Sequence, residues 1–109
     1  MGAAVWRVRD SATFAELRRH GRRARTGPLS VTWLPGPSDH PPRLAFAIGR
    51  SVGTAVVRNR LRRRLRSLFA EHVFDLRPGT YLISAAPAAA TLEYGDLRRT
   101  LSAALNDLP

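Results

Sequence analysis

The sequence predicts an α+β fold, a two-layer sandwich in which a sheet of about four strands packs with three helices. Three observations carry that expectation. The longest stretch with a helical period runs from Thr54 to about His72. Segments that alternate large and small residues, Leu29–Leu34 and Arg43–Arg50, precede it, and a strand-forming run, Thr80–Ala86, follows it. Shorter helical patterns stand near each end. At 109 residues the chain makes one domain, spanning 1–109, with room for a modest core and not for two.

Residues 1–10 are basic and expected to be loosely ordered until bound. Asp10 or Ser11 can cap a helix through Thr13–His20, which Gly21 ends. Phe14 and Leu17 stand one turn apart and share a face. Gly21–Gly27 reads as a basic, flexible link that adds non-specific phosphate attraction, with a short strand near Arg22–Arg25 as the alternative. In Leu29–Leu34, Leu29, Val31 and Trp33 share the side expected to enter the core, while Ser30 and Thr32 point the other way. Pro35–Pro42, rich in proline and glycine, is read as neither strand nor helix. In the next strand Leu44, Phe46 and Ile48 are expected to face helices. Ala45, Ala47 and Gly49 leave either a shallow open surface or room for a helix to come close.

Gly49 and Gly53 then punctuate a loop, and Thr54 is placed to cap the long helix. On a wheel of about 100° per residue, Val57, Leu61, Leu65, Leu68, Phe69 and His72 fall within roughly one-third of the circumference. Arg60, Arg62, Arg63, Arg64 and Arg66 fill most of the rest, and Arg58 sits at the edge of the apolar stripe. One face is built to pack and the other to meet an anion. Arg77-Pro-Gly79 turns the chain into the strand Thr80–Ala86, which Pro87 stops. After a connector at Ala88–Leu92, a last helix from about Glu93 to Asp107 carries Leu97, Leu101, Ala104, Leu105 and Leu108 on one stripe, with Arg98 and Arg99 outside it.

Charge narrows the function. The net charge is +10, and all 18 positive residues are arginine, which points to a polyanion, nucleic acid before membrane. A helix kept basic only for solubility would carry acidic residues three or four positions from its arginines. Here only Glu71 and Asp75 are near. The guanidinium fork binds phosphate oxygens in pairs, so phosphate is the natural partner. Without cysteine there is no disulfide, thiolate nucleophile or cysteine zinc site. No apolar run is long enough to span a bilayer and the first residues lack a signal-peptide core, so a soluble cytoplasmic protein is expected. His20, His40 and His72 lack metal-ligand spacing, the carboxylates are scattered, and no glycine-rich phosphate loop is present. No catalytic or metal-binding residue is assigned to the chain itself.

Val57-Arg-Asn-Arg-Leu-Arg-Arg63, with Gly53 before it and Arg66 after it, resembles the signature of the bacterial ribonuclease P protein subunit. The resemblance extends from about Arg7 to about Leu105. It implies a left-handed crossover between the strands on either side of the arginine helix. It also implies a chain that does not itself cleave RNA but assists a catalytic RNA in removing the 5′ leader from precursor tRNA. Mg²⁺ would be held mainly by that RNA. Carried onto this sequence, Arg50, Arg58, Asn59, Arg60, Arg62, Arg63 and Arg66 would meet the catalytic RNA. Phe14, Thr32, Ala45 and Ala47 would line a cleft for the leader, where a base can stack on the Phe14 ring. By the same residues, Asn59, which can both donate and accept hydrogen bonds, could instead fix loop geometry, and Phe14 could simply anchor its helix. The partners implied are ribonuclease P RNA and the precursor tRNA leader, with neither membrane nor DNA expected. Two other classes compete: a general RNA-binding or ribosome-associated module, and an independent nuclease, for which no histidine or carboxylate constellation is found.

Overall fold

The structure, a computed structural model, describes residues 6–7 and 11–109. In chain order the elements are β1 (Trp6–Arg7), α1 (Ser11–His20), β2 (Arg22–Thr26), β3 (Leu29–Pro35), β4 (Arg43–Ala47), α2 (Ala55–Glu71), β5 (Gly79–Ala85) and α3 (Tyr94–Asn106). Single 3-10 turns, Arg50–Val52 and Pro87–Thr91, lead toward α2 and α3. The strands form one mixed sheet in the order β1-β4-β5-β3-β2. β1, β4 and β5 run parallel, whereas β3 is antiparallel to both β5 and β2. The four longer strands and three helices match the architecture predicted from the sequence, and α2 lies on the connection between the parallel neighbours β4 and β5.

Two segments differ from their sequence reading. The basic stretch after Gly21 is not the flexible link but the short strand given as its alternative: it forms the edge strand β2, paired residue for residue from Arg22 opposite Trp33 to Thr26 opposite Leu29. Of its five residues only Ala24 is buried, so it lacks the apolar alternation that marks a strand in sequence. Within the first ten residues, Trp6 and Arg7 pair with Arg43 and Leu44 as a short edge strand. Their neighbours, including the proposed cap Asp10, lie outside the described residues. Pro35 also belongs to β3, where it holds the terminal position opposite Gly79, a place at which proline is tolerated.

Strand alternation divides the sheet into two faces. On one, Leu29, Val31 and Trp33 of β3, Leu44 of β4 and Tyr81 and Ile83 of β5 meet the two longer helices. α2 supplies Leu61, Leu65, Leu68 and Phe69, and α3 supplies Leu97, Leu101, Ala104 and Leu105. These are the stripes predicted from helical period. Burying each large member stabilises the fold by on the order of 2 kcal/mol. The Phe69 ring meets Tyr81 edge-on at 5.3 Å between centroids. The turn into β5 requires a glycine: Gly79 has φ 144°, and a Cβ there would lie 2.2 Å from the Leu34 carbonyl oxygen. Beside it the Trp33 indole donates to the Pro78 carbonyl at 3.3 Å.

Among the described residues the opposite face carries one helix, α1. Leu17 covers Ala45 and Leu82, with Phe14 and Leu34 alongside. Both readings of the small residues on β4 therefore apply, at different positions: Ala45 lets a helix approach, and Ala47 stays open. The end of α1 comes very close to the sheet. A Cβ on Gly21 would stand 2.4 Å from the Thr32 methyl, so only glycine lets the chain pass there.

Candidate nucleic-acid interface

α2 starts where the sequence places it. Thr54 has extended backbone geometry, and its hydroxyl accepts from the Val57 N–H at 3.3 Å, satisfying one of the free donors of the first turn. Arg50, exposed, opens the short turn just before it. With Leu61, Leu65, Leu68 and Phe69 committed to the core, the arginines are left on the outer side. Arg60 and Arg63 are exposed, while Arg58, Arg62, Arg64 and Arg66 are half-buried along the flanks.

Each flank arginine is held differently. Arg62 donates to the Asn59 side-chain oxygen at 2.8 Å, so Asn59 orients an arginine within its own helix. The Arg66 guanidinium stands 5.5 Å from the centroid of the Phe46 ring, a cation–π contact that ties the helix to β4. Arg58 Nε is buried without a hydrogen-bond partner.

Acidic groups are placed elsewhere. Glu71 pairs with Arg98 at 3.1 Å and Asp96 pairs with Arg99, both on α3. Glu16 and Asp39 lie beside His20 and His40. Among the described residues none of Arg58, Arg60, Arg63 and Arg64 has a carboxylate partner. The result is a fixed positive surface with little internal compensation, which attracts and orients a polyanion.

On the other side of the sheet, the four residues assigned to a cleft divide by depth. Thr32 and Ala45 are buried, Phe14 is half-buried beside Leu17, and Ala47 is exposed. The register aligns two rows across this face. One row is Ala45, Leu82, Thr32 and Arg23, and Leu17 covers its centre; the next is Ala47, Ser84, Ser30 and Arg25. At about 4.8 Å between strands, the second row runs roughly 14 Å from Ala47 to Arg25. Two adjoining concavities open here. Arg18, Arg23 and Thr32 line the first, and Arg23, Arg25, Ser30 and Ser84 line the second. Arg18, Arg23, Arg25, Ser30 and Ser84 were not among the residues selected from sequence. The alternation Arg23-Ala24-Arg25, with the alanine buried, was the available signal.

The histidines are separate. His72, at the end of α2, has its Nε2 3.0 Å from the Ser102 hydroxyl of α3 and serves as a tie between the helices. Among the described residues no three histidine, cysteine or carboxylate side chains gather as a metal site, and no helix is long and apolar enough to cross a membrane.

Comparison with known proteins bears on the family and the fold. A family model described as Ribonuclease P matches residues 3–109. The ribonuclease P protein component of Thermobifida fusca is 44% identical over 108 residues, covering 91% of this chain and 73% of that one. That of a Nocardioides strain is 43% identical over 109 residues, covering 96% and 92%. In fold, the chain is similar to the Staphylococcus aureus RNase P protein, with a TM-score of 0.85 at 20% identity over 93% of each chain. It is also similar to the Thermotoga maritima RNase P protein, with a TM-score of 0.83 at 19% identity over 94% of this chain and 97% of that one. A match that takes in the arginine helix together with the sheet beneath it makes this chain a member of the ribonuclease P protein family.

Proposed function

We propose that this protein binds the catalytic RNA of ribonuclease P through the outer face of α2 and receives the 5′ leader of precursor tRNA on the α1 side of the sheet. The observation that carries the reading is the arginine face of α2, set on a rigid, well-packed helix and left without carboxylate partners at Arg58, Arg60, Arg63 and Arg64. Arg50, Arg58, Arg60, Arg62, Arg63 and Arg66 contact RNA phosphates, and Asn59 orients Arg62 for that contact. Phe14 and Ala47 border the leader, while Thr32 and Ala45 form the floor beneath it. Hydrolysis belongs to the RNA, and so does the Mg²⁺ that supports it. The protein's contribution is electrostatic and positional: it carries part of the repulsion between two RNAs, raises affinity for substrate and lowers the Mg²⁺ requirement. A cytoplasmic site of action follows from that role.

The test is reconstitution at low Mg²⁺. Cleavage of precursor tRNA by a bacterial ribonuclease P RNA is followed with and without this protein, and with the protein alone. Restored cleavage at the 5′ junction, with none by the protein alone, is the expected result. Binding without restoration would favour a general RNA-binding module. Cleavage by the purified protein that depends on one of its histidines would overturn the subunit reading.

A further inference from the structure

A third group of charges stands apart from the arginine face of α2 and from the α1 side of the sheet. Strand register carries one row across the sheet as Arg22, Trp33, Tyr81 and Leu44. Trp33 and Tyr81 belong to the core on the side of α2 and α3, with their rings stacked at 6.5 Å between centroids. The Arg22 guanidinium lies 6.0 Å from the centroid of the Trp33 ring, and that of Arg77, from the turn into β5, lies 3.8 Å from it. We propose that Arg22 and Arg77 together form a further RNA-phosphate site at this end of the sheet. The inference rests on the reading that the partner is RNA and adds a contact outside both surfaces assigned above.

Two observations support it. The first is uncompensated charge. Both arginines are exposed, and neither has a carboxylate partner among the described residues, although Asp75 and Asp107 are exposed on neighbouring segments. Converging on one ring brings the two guanidinium centres within about 10 Å of each other, one Debye length at about 0.1 M salt, so they repel unless an anion joins them. The second is that Arg77 is held before any ligand arrives. Its carbonyl accepts from the Tyr81 hydroxyl at 2.6 Å, and the carbonyl of the next residue, Pro78, accepts from the Trp33 indole at 3.3 Å. Its guanidinium donates to the Pro109 carbonyl at 2.9 Å, which leaves most of its N–H donors available. A planar fork fixed in advance suits paired phosphate oxygens and loses little freedom on binding them.

Plainer explanations account for part of this. An arginine over an indole is a common packing contact, and the Arg77 stem also covers apolar surface. A charged side chain on an edge strand such as β2 discourages pairing with another chain. Neither explains why a second cation joins the first on the same ring without a counter-charge. The placement also has a use. Arg77 follows the C-terminal end of α2, and Glu71 at that end is roughly 16 Å along the helix axis from Arg60. A phosphate contact that far from the arginine face fixes the direction in which the protein lies on its RNA.

The experiment reads the site through Trp33 itself. The chain has two tryptophans, so Trp6→Phe leaves Trp33 as the single indole reporter. In that protein inorganic pyrophosphate should change the Trp33 emission saturably. Adding Arg22→Gln should weaken the response at least fivefold, whereas Arg60→Gln, on the outer side of α2, should leave it in place. Circular dichroism checks that each variant is folded. No response, or the same midpoint with Arg22→Gln, would overturn the inference while leaving the subunit reading intact. RNA is then titrated across a salt series in two arms: ribonuclease P RNA with the protein, and precursor tRNA with the reconstituted holoenzyme. In the arm that supplies the phosphate, Arg22→Gln should lower the log–log salt slope by about 0.9 for duplex or about 0.7 for a single strand, roughly five- to eightfold in affinity at about 0.1 M salt. Arg22→Lys, which keeps the charge, should restore most of that slope. Unchanged slopes in both arms would overturn the inference alone. A wild-type protein that binds neither RNA would overturn the subunit reading and this inference with it.

Discussion

Removing Arg60 and Arg63 should move folding stability and RNA affinity in opposite directions. Both side chains are exposed on α2, and neither has a carboxylate partner among the described residues. Arg60 is three and four residues from Arg63 and Arg64, and Arg63 is three from Arg66. The double change to alanine therefore removes three like-charge pairs, each destabilising by about 0.2–0.5 kcal/mol, in favour of a better helix former. The fold should gain about 0.6–1.5 kcal/mol, read by urea unfolding. Binding to ribonuclease P RNA should weaken. If each arginine neutralises one phosphate, the log–log salt slope falls by about 0.9 per residue, which at ~0.1 M salt corresponds to roughly eightfold in affinity per residue. Titration of labelled RNA across a salt series measures both quantities. An unchanged slope would show that the two arginines do not meet phosphate, and a clear loss of stability would show that they serve the fold.

Two further perturbations test the scaffold beneath the site. Thr54→Ala removes the side-chain acceptor for the Val57 N–H and should cost about 1 kcal/mol of stability, measured by urea unfolding; an unchanged midpoint would mean that the cap contributes nothing. Burial pushes the Tyr81 phenol up to about 12, against the pull of the neighbouring Arg77 charge. Below about pH 10 the folded and unfolded states both keep that proton; above it the unfolded chain loses the proton first, so stability should fall by roughly 2 kcal/mol as pH rises toward 12. Tyr81→Phe should flatten that part of the pH profile, and an equally steep decline in the variant would assign it to other groups.

How legible each element was in sequence depends on how local its signal is. α2 could be read because its cap, its apolar stripe and its charge all lie within a single segment. β3 and β4 were legible from the alternation of Leu29, Val31 and Trp33 and of Leu44, Phe46 and Ile48, which point into the core. β2 was legible only as an alternative to a flexible link, because an edge strand with one buried alanine is specified by its partner β3 and not by its own residues. The same holds for the site. The arginines of α2 announced themselves as a cluster, whereas Arg23 and Arg25 join Ser30, Ser84 and Thr32 only through strand register. Whether Ala45 is open or covered was likewise undecidable from β4, since the answer lies in Leu17 of α1. Arg66 shows a third case: its contact with Phe46 joins a helix position to a strand 20 residues earlier, a distance over which no periodicity speaks.

The sheet makes these separate charges useful. Its apolar faces commit α2 and α3 to one side and α1 to the other, so the arginines of α2 and those of β2 cannot collapse together or share a counter-charge. Among the described residues the carboxylate ion pairs to arginine are Asp96 with Arg99 within α3, and Glu71, at the last position of α2, with Arg98 of α3. A chain of net charge +10 held this way repels itself, which weakens the free fold, and that repulsion is relieved when phosphate arrives. Any anion that binds the folded state and not the unfolded one adds stability by mass action. Two RNAs bound on opposite sides of the sheet would do so together. Each would lower the repulsive cost of holding the other's arginines in place, so a positive coupling between them requires no change of shape in the protein.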